Sequence, residues 1–133
     1  MTEAEARAFV ARHHRAVLAT IKRDGRPQLS NIVYALDDDG RIKISTTATR
    51  AKTYNVRRDP RVALAVQGDT WQEYLVVEGT AEILEGNVLA DLRRVYEKIR
   101  GPHPNWAEFD AAMIRERRLL LAITIERFYP LDR

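Results

Sequence analysis

Residues 17–34, VLATIKRDGRPQLSNIVY, decide how this chain folds. Two largely apolar runs, Ala16–Arg23 and Gln28–Leu36, flank the dipeptide Asp24-Gly25. Asp-Gly tolerates positive φ, so between two such runs it marks a tight hairpin turn. DDDG at 37–40 is a second turn and Arg41–Thr46 a third strand. The three strands read as an antiparallel meander.

Upstream, residues 3–14 read as a short helix, with Ala6, Phe9 and Val10 at helical spacing. Downstream, Thr49 begins a helix over Arg50–Arg58 that Asp59-Pro60 ends, and Arg61–Gln67 is a fourth strand. Gly68-Asp69 turns the chain into a long fifth strand, Gln72–Leu84, with Gly79 as a bend or bulge. Residues 87–100 form a helix with apolar positions Val88, Leu89, Leu92, Val95, Tyr96 and Ile99. GPHP breaks it, Asn105 with Glu108 reads as a capping box for a helix running to Arg118, and Leu119–Phe128 is a sixth strand.

The pattern predicts a mainly β protein with α, a six-stranded small antiparallel barrel with peripheral helices. A chain of 133 residues suits one domain, 1–133. Two strands are apolar on both faces: Val17, Ala19 and Ile21 alternate with Leu18 and Thr20, and Leu119, Leu121 and Ile123 with Leu120 and Ala122. A barrel interior uses one face of each strand, so the other must pack on helices or on a second chain, and a homodimer is expected.

With no cysteine, disulfides, thiolate metal sites and cysteine nucleophiles are excluded. The net charge of +3 favours anionic partners in a general way. Acidic residues interrupt the basic ones, and no strand alternates exposed aromatics with cations, so a nucleic-acid partner is not expected. No apolar run approaches the roughly 20 residues that cross a bilayer, and the acidic start MTEAEARAFVARHH does not read as a secretory signal, so no membrane association and a cytoplasmic location are expected. His13, His14 and His103 do not make a metal pair, because neighbouring helical residues diverge, and no metal site is expected. No nucleophile elbow, phosphate-binding lysine loop or dinucleotide glycine fingerprint is present, and no catalytic residue is assigned.

The stretch Ser45-Thr46-Thr47-Ala48-Thr49-Arg50-Ala51-Lys52-Thr53 runs from a strand end through hydroxyls into a helix N-terminus. Unpaired N–H groups and the positive dipole end there suit an anion, and Arg50 and Lys52 add charge. The other reading is a solvated basic helix. Gln28 and Ser30 share a strand face with Ile32, polar at one end and apolar beyond; with Asn31 they suit a heterocycle edge or a merely solvated strand end. Trp71, with Gln72 and Tyr74, either walls a flat ligand or packs in a core or interface.

VLATIKRDGRPQLSNIVY, RIKIS, TRAKTYNVRRDPRVAL, WQEYLVVEGTAEI and the closing RRLLLAITIERFY together resemble the pyridoxamine 5′-phosphate oxidase-like flavin/deazaflavin oxidoreductase superfamily. The resemblance covers nearly the whole chain and is greatest to small actinobacterial proteins that bind coenzyme F420, an 8-hydroxy-5-deazaflavin. It implies a split β-barrel of the FMN-binding type and a homodimer with cofactor sites at the subunit interface. It places the cofactor phosphate at Ser45, Thr46, Arg50 and Lys52, the ring near Gln28, Ser30 and Asn31, and Trp71 in the partner's site. The activity it implies is hydride transfer between coenzyme F420 and a small organic substrate. FMN is the alternative cofactor, and a non-catalytic cofactor-binding protein the alternative role. Pyridoxamine phosphate oxidases carry an arginine-containing C-terminal segment that does not follow RFYPLDR here, so that substrate is not expected.

Overall fold

The Asp24-Gly25 turn closes as its chemistry requires. Gly25 takes φ 89°, the Lys22 N–H donates to Arg26 O at 2.8 Å, and the Gly25 N–H donates to Lys22 O at 2.9 Å. The flanking strands are β1 (Arg15–Ile21) and β2 (Pro27–Val33), with Leu18 opposite Ser30. The computed structural model describes residues 1–130.

Beyond this hairpin the meander does not continue. The second apolar run breaks at Tyr34 into β2 and a two-residue strand, β3 (Ala35–Leu36), so the sheet has seven strands rather than six. β4 (Ile42–Thr47), β5 (Arg61–Gln67), β6 (Tyr74–Leu84) and β7 (Arg118–Tyr129) complete it in the order β2-β1-β5-β6-β7-β4-β3, every pair antiparallel. β4 pairs with β3 and β7, not with β2. Turn chemistry determines which strands a hairpin joins, whereas long-range edges go to whichever strand buries both its faces, and here that is β7.

β2 and β3 stand at opposite ends of this order but are separated in the chain by Tyr34 alone. The sheet must therefore curl until its ends meet, forming a barrel with a split between β2 and β4. Tyr34 is fully buried at the joint. Its hydroxyl donates to Val10 O at 2.8 Å, its N–H donates to His14 O at 2.8 Å, and its carbonyl accepts from His14 Nδ1 at 3.1 Å.

The barrel interior is apolar: Leu18, Ile44, Leu64, Val77 and Leu121 pack with Phe9 and Val10 of α1 (Glu3–Arg12). α1 starts with a complete capping box of Thr2 and Glu5. A second layer, α3 (Leu89–Arg100) and α4 (Trp106–Arg115), lies on the outer face of β4 and β7, where Leu92, Val95 and Phe109 meet Ala35 and Leu120. These helices account for the doubly apolar β7. The outer residues of β1, Val17, Ala19 and Ile21, stay half-buried beside Leu29, which is 62% exposed. Asn105 caps α4, its side chain accepting from the Glu108 N–H at 3.1 Å; among the described residues only this half of the expected box forms. No helix among the described residues is long and apolar enough to cross a membrane.

Gly79 is the expected bulge: the β6–β7 register shifts between Glu78 and Gly79. A Cβ at Gly79 would collide with the carbonyl oxygen of Thr124 across the ladder. Backbone cannot yield as a flexible side chain does, so Gly79→Ala is expected to cost about 1–3 kcal/mol, as overpacking typically does. Urea denaturation checks this: the midpoint should fall with the slope unchanged.

Candidate functional site

The split between β2 and β4 holds a cavity of about 530 Å³. One lip is β2, with Ser30, Asn31, Ile32 and Val33; the other is Ser45 and Thr46 of β4 with Arg50 and Lys52 beyond it. α3 and α4 form an apolar roof through Leu92, Tyr96, Ile99, Phe109 and Met113, and Arg100 and Arg118 also reach the cavity.

The cationic lip follows from how α2 (Ala51–Arg58) begins. Thr53 is fully buried, and its hydroxyl donates to Thr47 O at 2.8 Å, folding the strand end back onto the first helical turn. Arg50 is the N-cap residue but makes no capping bond, and the first turn holds no acidic residue. The N–H groups of Ala51 and Lys52 have no backbone acceptor among the described residues. Among the described residues neither Arg50 nor Lys52 forms an ion pair. Lys52 has its pKa pushed below the ordinary lysine value, first by burial and then by the like charges of Arg50 and Arg118. Arg118 is steadied by Glu116 at 3.0 Å and by Ser45 O at 3.5 Å. Among the described residues no carboxylate lines the cavity. Hydroxyls, free N–H groups and uncompensated cations in one concavity are the donor set for a phosphate-type anion.

Ser30 adds an independent sign of a ligand. Its Oγ is buried and has no hydrogen-bond partner, alone in this among the buried side-chain polar atoms of the described residues. An unpaired buried hydroxyl costs about 1–3 kcal/mol, which a polar ligand in the cavity would recover.

The roof is clamped by charge. Asp37, nearly fully buried, accepts from Arg94 Nε and Nη2, both at 2.8 Å, and from the buried Lys43 Nζ at 2.7 Å. Lys98 of α3 reaches Asp38 at 2.7 Å. Arg94, then Lys43, holds the Asp37 carboxyl far below the usual carboxylate range. Between the two helices, Tyr96 of α3 packs edge-on against Phe109 and Trp106 of α4, at 5.2 and 6.1 Å between ring centres.

Six of the residues singled out in the sequence, Ser30, Asn31, Ser45, Thr46, Arg50 and Lys52, line this one cavity. Gln28 does not; its amide bonds Thr20 at 3.2 Å and Leu29 O at 3.2 Å. Trp71 stands 84% exposed on the β5–β6 turn and lines a second cavity, of about 490 Å³, on the outer sheet face with Arg15, Val33 and Gln67. Asn31 touches both cavities. Arg100, Arg118 and the roof residues Tyr96, Phe109 and Met113 were not foreseen. Arg118 reaches the site because it pairs with Thr47 across β4–β7, which no local pattern reveals. Among the described residues no cluster of three His, Asp or Glu side chains could hold a metal ion.

A curled antiparallel sheet with an open split defines the split-barrel class, and the chain belongs to the pyridoxamine 5′-phosphate oxidase family, whose profile matches residues 2–132. It is similar to the conserved hypothetical protein Rv2991 from Mycobacterium tuberculosis, at 35% identity and a TM-score of 0.77 over 96% of this chain and 82% of that one. An F420 reductase superposes with a TM-score of 0.71 at 25% identity, over 91% of this chain and 93% of the other. A FAD-binding protein from Mesorhizobium loti, 18% identical, shares the fold with a TM-score of 0.67 over 96% of this chain and 90% of that one.

The Asp37 clamp makes stability depend on acidity. Its folded pKa is depressed, so its contribution is present above the ordinary carboxylate value and is lost as pH falls through that value and below. Asp37→Asn leaves the buried Lys43 only its longer pair with Asp39 at 3.2 Å, while the 38% exposed Arg94 side chain can turn to solvent. The expected loss at pH 7 is therefore at the low end for a broken buried pair, about 3 kcal/mol. Urea titrations between about pH 3 and pH 7 should show the variant closing on the wild type at the acid end.

Proposed function

We propose that this protein is an oxidoreductase that binds coenzyme F420 in the β2–β4 split and transfers hydride between it and a small organic substrate. The observation that carries the reading is the carboxylate-free cationic start of α2 facing the unpartnered Ser30 hydroxyl across one cavity. The family includes oxidoreductases, and the similarity to an F420 reductase supports the deazaflavin.

Arg50, Lys52, the Ser45 and Thr46 hydroxyls and the free N–H groups of α2 hold the phosphate, and its charge returns Lys52 towards an ordinary lysine pKa. Ser30 and Asn31 bond the ring edge. Tyr96, Phe109 and Met113 exclude water. When bound, the deazaflavin supplies a two-electron hydride donor and acceptor. Among the described residues the cavity lining holds no carboxylate and no imidazole, and the part of these residues is to bind, orient and desolvate. FMN is the second reading, because the cationic lip is sized to a single phosphate, which FMN also carries. Binding without turnover is a variant of either.

The half-buried outer face of Val17, Ala19 and Ile21, with exposed Leu29, supports a homodimer in which Trp71 reaches the partner's site. We further propose that residues 1–133 act as one cytoplasmic domain. Light scattering at micromolar concentration should give about twice the 15.3 kDa chain mass; a clean monomer would remove the shared site.

Absorbance and fluorescence titration with coenzyme F420 and with FMN tests the cofactor. F420 should bind more tightly; tight FMN binding with no measurable F420 binding reverses the order. Lys52→Ala should weaken cofactor binding about 10- to 150-fold, the worth of one charge-assisted hydrogen bond of roughly 1.5–3 kcal/mol. Without cofactor the same substitution should leave the melting temperature unchanged or slightly raised, because it removes a desolvated cation from a positive helix end. Binding unchanged within about twofold would make Lys52 a plain surface residue.

A further inference from the structure

We propose that Thr20, which lies outside the cavity, sets the width of the cofactor site by closing a hydrogen-bond relay across the open end of the split. The inference rests on the cofactor reading above.

Strand pairing does not join the two lips. β2 has β1 as its neighbour, and β4 has β7 and β3. At one end the chain itself bridges them through Tyr34. At the other end α2, which continues from β4, is tied to the β1–β2 hairpin by side chains. Arg58 Nη2 donates to Asn55 Oδ1 at 2.9 Å and to Ile21 O at 2.8 Å. Asn55 Nδ2 donates to Thr20 Oγ1 at 3.0 Å, Thr20 Oγ1 donates to Gln28 Oε1 at 3.2 Å, and Gln28 Nε2 donates to Leu29 O at 3.2 Å. From Asn55 through Thr20 to Gln28 the bonds run in one direction, from the helix that begins at the cationic lip to the strand that carries Ser30. This explains why Gln28 lies near the site without lining it.

Thr20 is the one member that accepts and donates through a single atom, its Oγ1, and it is 1% exposed. Val56 also packs α2 on the barrel, but apolar contacts allow sliding, whereas a satisfied buried network enforces one distance and orientation. A ligand that grips both lips benefits only if they are held at the spacing it spans. The relay therefore couples phosphate binding on α2 to ring binding on β2.

Thr20→Val keeps the shape and removes the hydroxyl; Thr20→Ser keeps the hydroxyl. The readout is a ratio of dissociation constants, riboflavin over FMN, and likewise the phosphate-free deazaflavin chromophore over coenzyme F420. Each ratio isolates what the phosphate end adds. Thr20→Val should lower it roughly three- to tenfold, the size of coupling expected between groups in one network, and Thr20→Ser should restore it to within about twofold of wild type. If Thr20→Val does not fold, Gln28→Met at the half-buried end of the relay carries the same expected direction. A wild-type preference for the phosphate-bearing forms that survives loss of the relay overturns this proposal and leaves the cofactor reading intact. No such preference in the wild type overturns both.

Discussion

A single residue, Tyr34, has to connect the two ends of a seven-stranded sheet. That covalent constraint dictates the rest of the architecture. A flat or openly twisted sheet of this order would hold β2 and β3 several strand spacings apart, far beyond the reach of one residue. Curling brings them together, encloses the apolar interior, and leaves β2 and β4 side by side without a ladder. The cavity is what that missing ladder leaves behind. Burial of the Tyr34 ring, and its bonds to Val10 and His14, anchor the joint to α1 as well.

Two groups of charges flank the cavity, with opposite economies. In the roof clamp, Asp37 is matched by Lys43 and Arg94, so a buried carboxylate is fully paired and the helix it holds is fixed in place. At the start of α2, Arg50 and Lys52 lie close to Arg118 with no carboxylate in the cavity. Structural charges are satisfied internally. Charges left unsatisfied at a concave surface mark it as a candidate functional site.

Features that depend on neighbours in the chain were legible in the sequence. The Asp24-Gly25 hairpin, the Asp59 end of α2, the apolar stripe of α3 and the Gly79 bulge all follow from residues within a few positions of one another. The Ser45–Lys52 stretch was legible for the same reason: its hydroxyls and cations lie in one continuous segment. Strand order was not, because the pairing of β4 with β7 joins residues such as Thr47 and Arg118 that local periodicity treats as unrelated. The site borrowed Arg118 and the α3–α4 roof through that pairing. Gln28 had the right polarity and the right strand face, but the hydroxyl of Thr20, eight residues away, claimed its amide.

The end strands also bear on how the protein avoids open-ended growth of its sheet from one copy to the next. A strand at the end of a sheet order presents a row of amide and carbonyl groups that a foreign strand can extend, which is the route to aggregation. β2 begins with Pro27, which has no N–H to offer, and the turn before it carries Lys22, Arg23 and Arg26, all exposed. β3, at the other end, is only two residues long. One edge is guarded by an imino acid and repelling charge and the other by brevity, so the backbone that the split leaves without a ladder is denied to uncontrolled growth of the sheet.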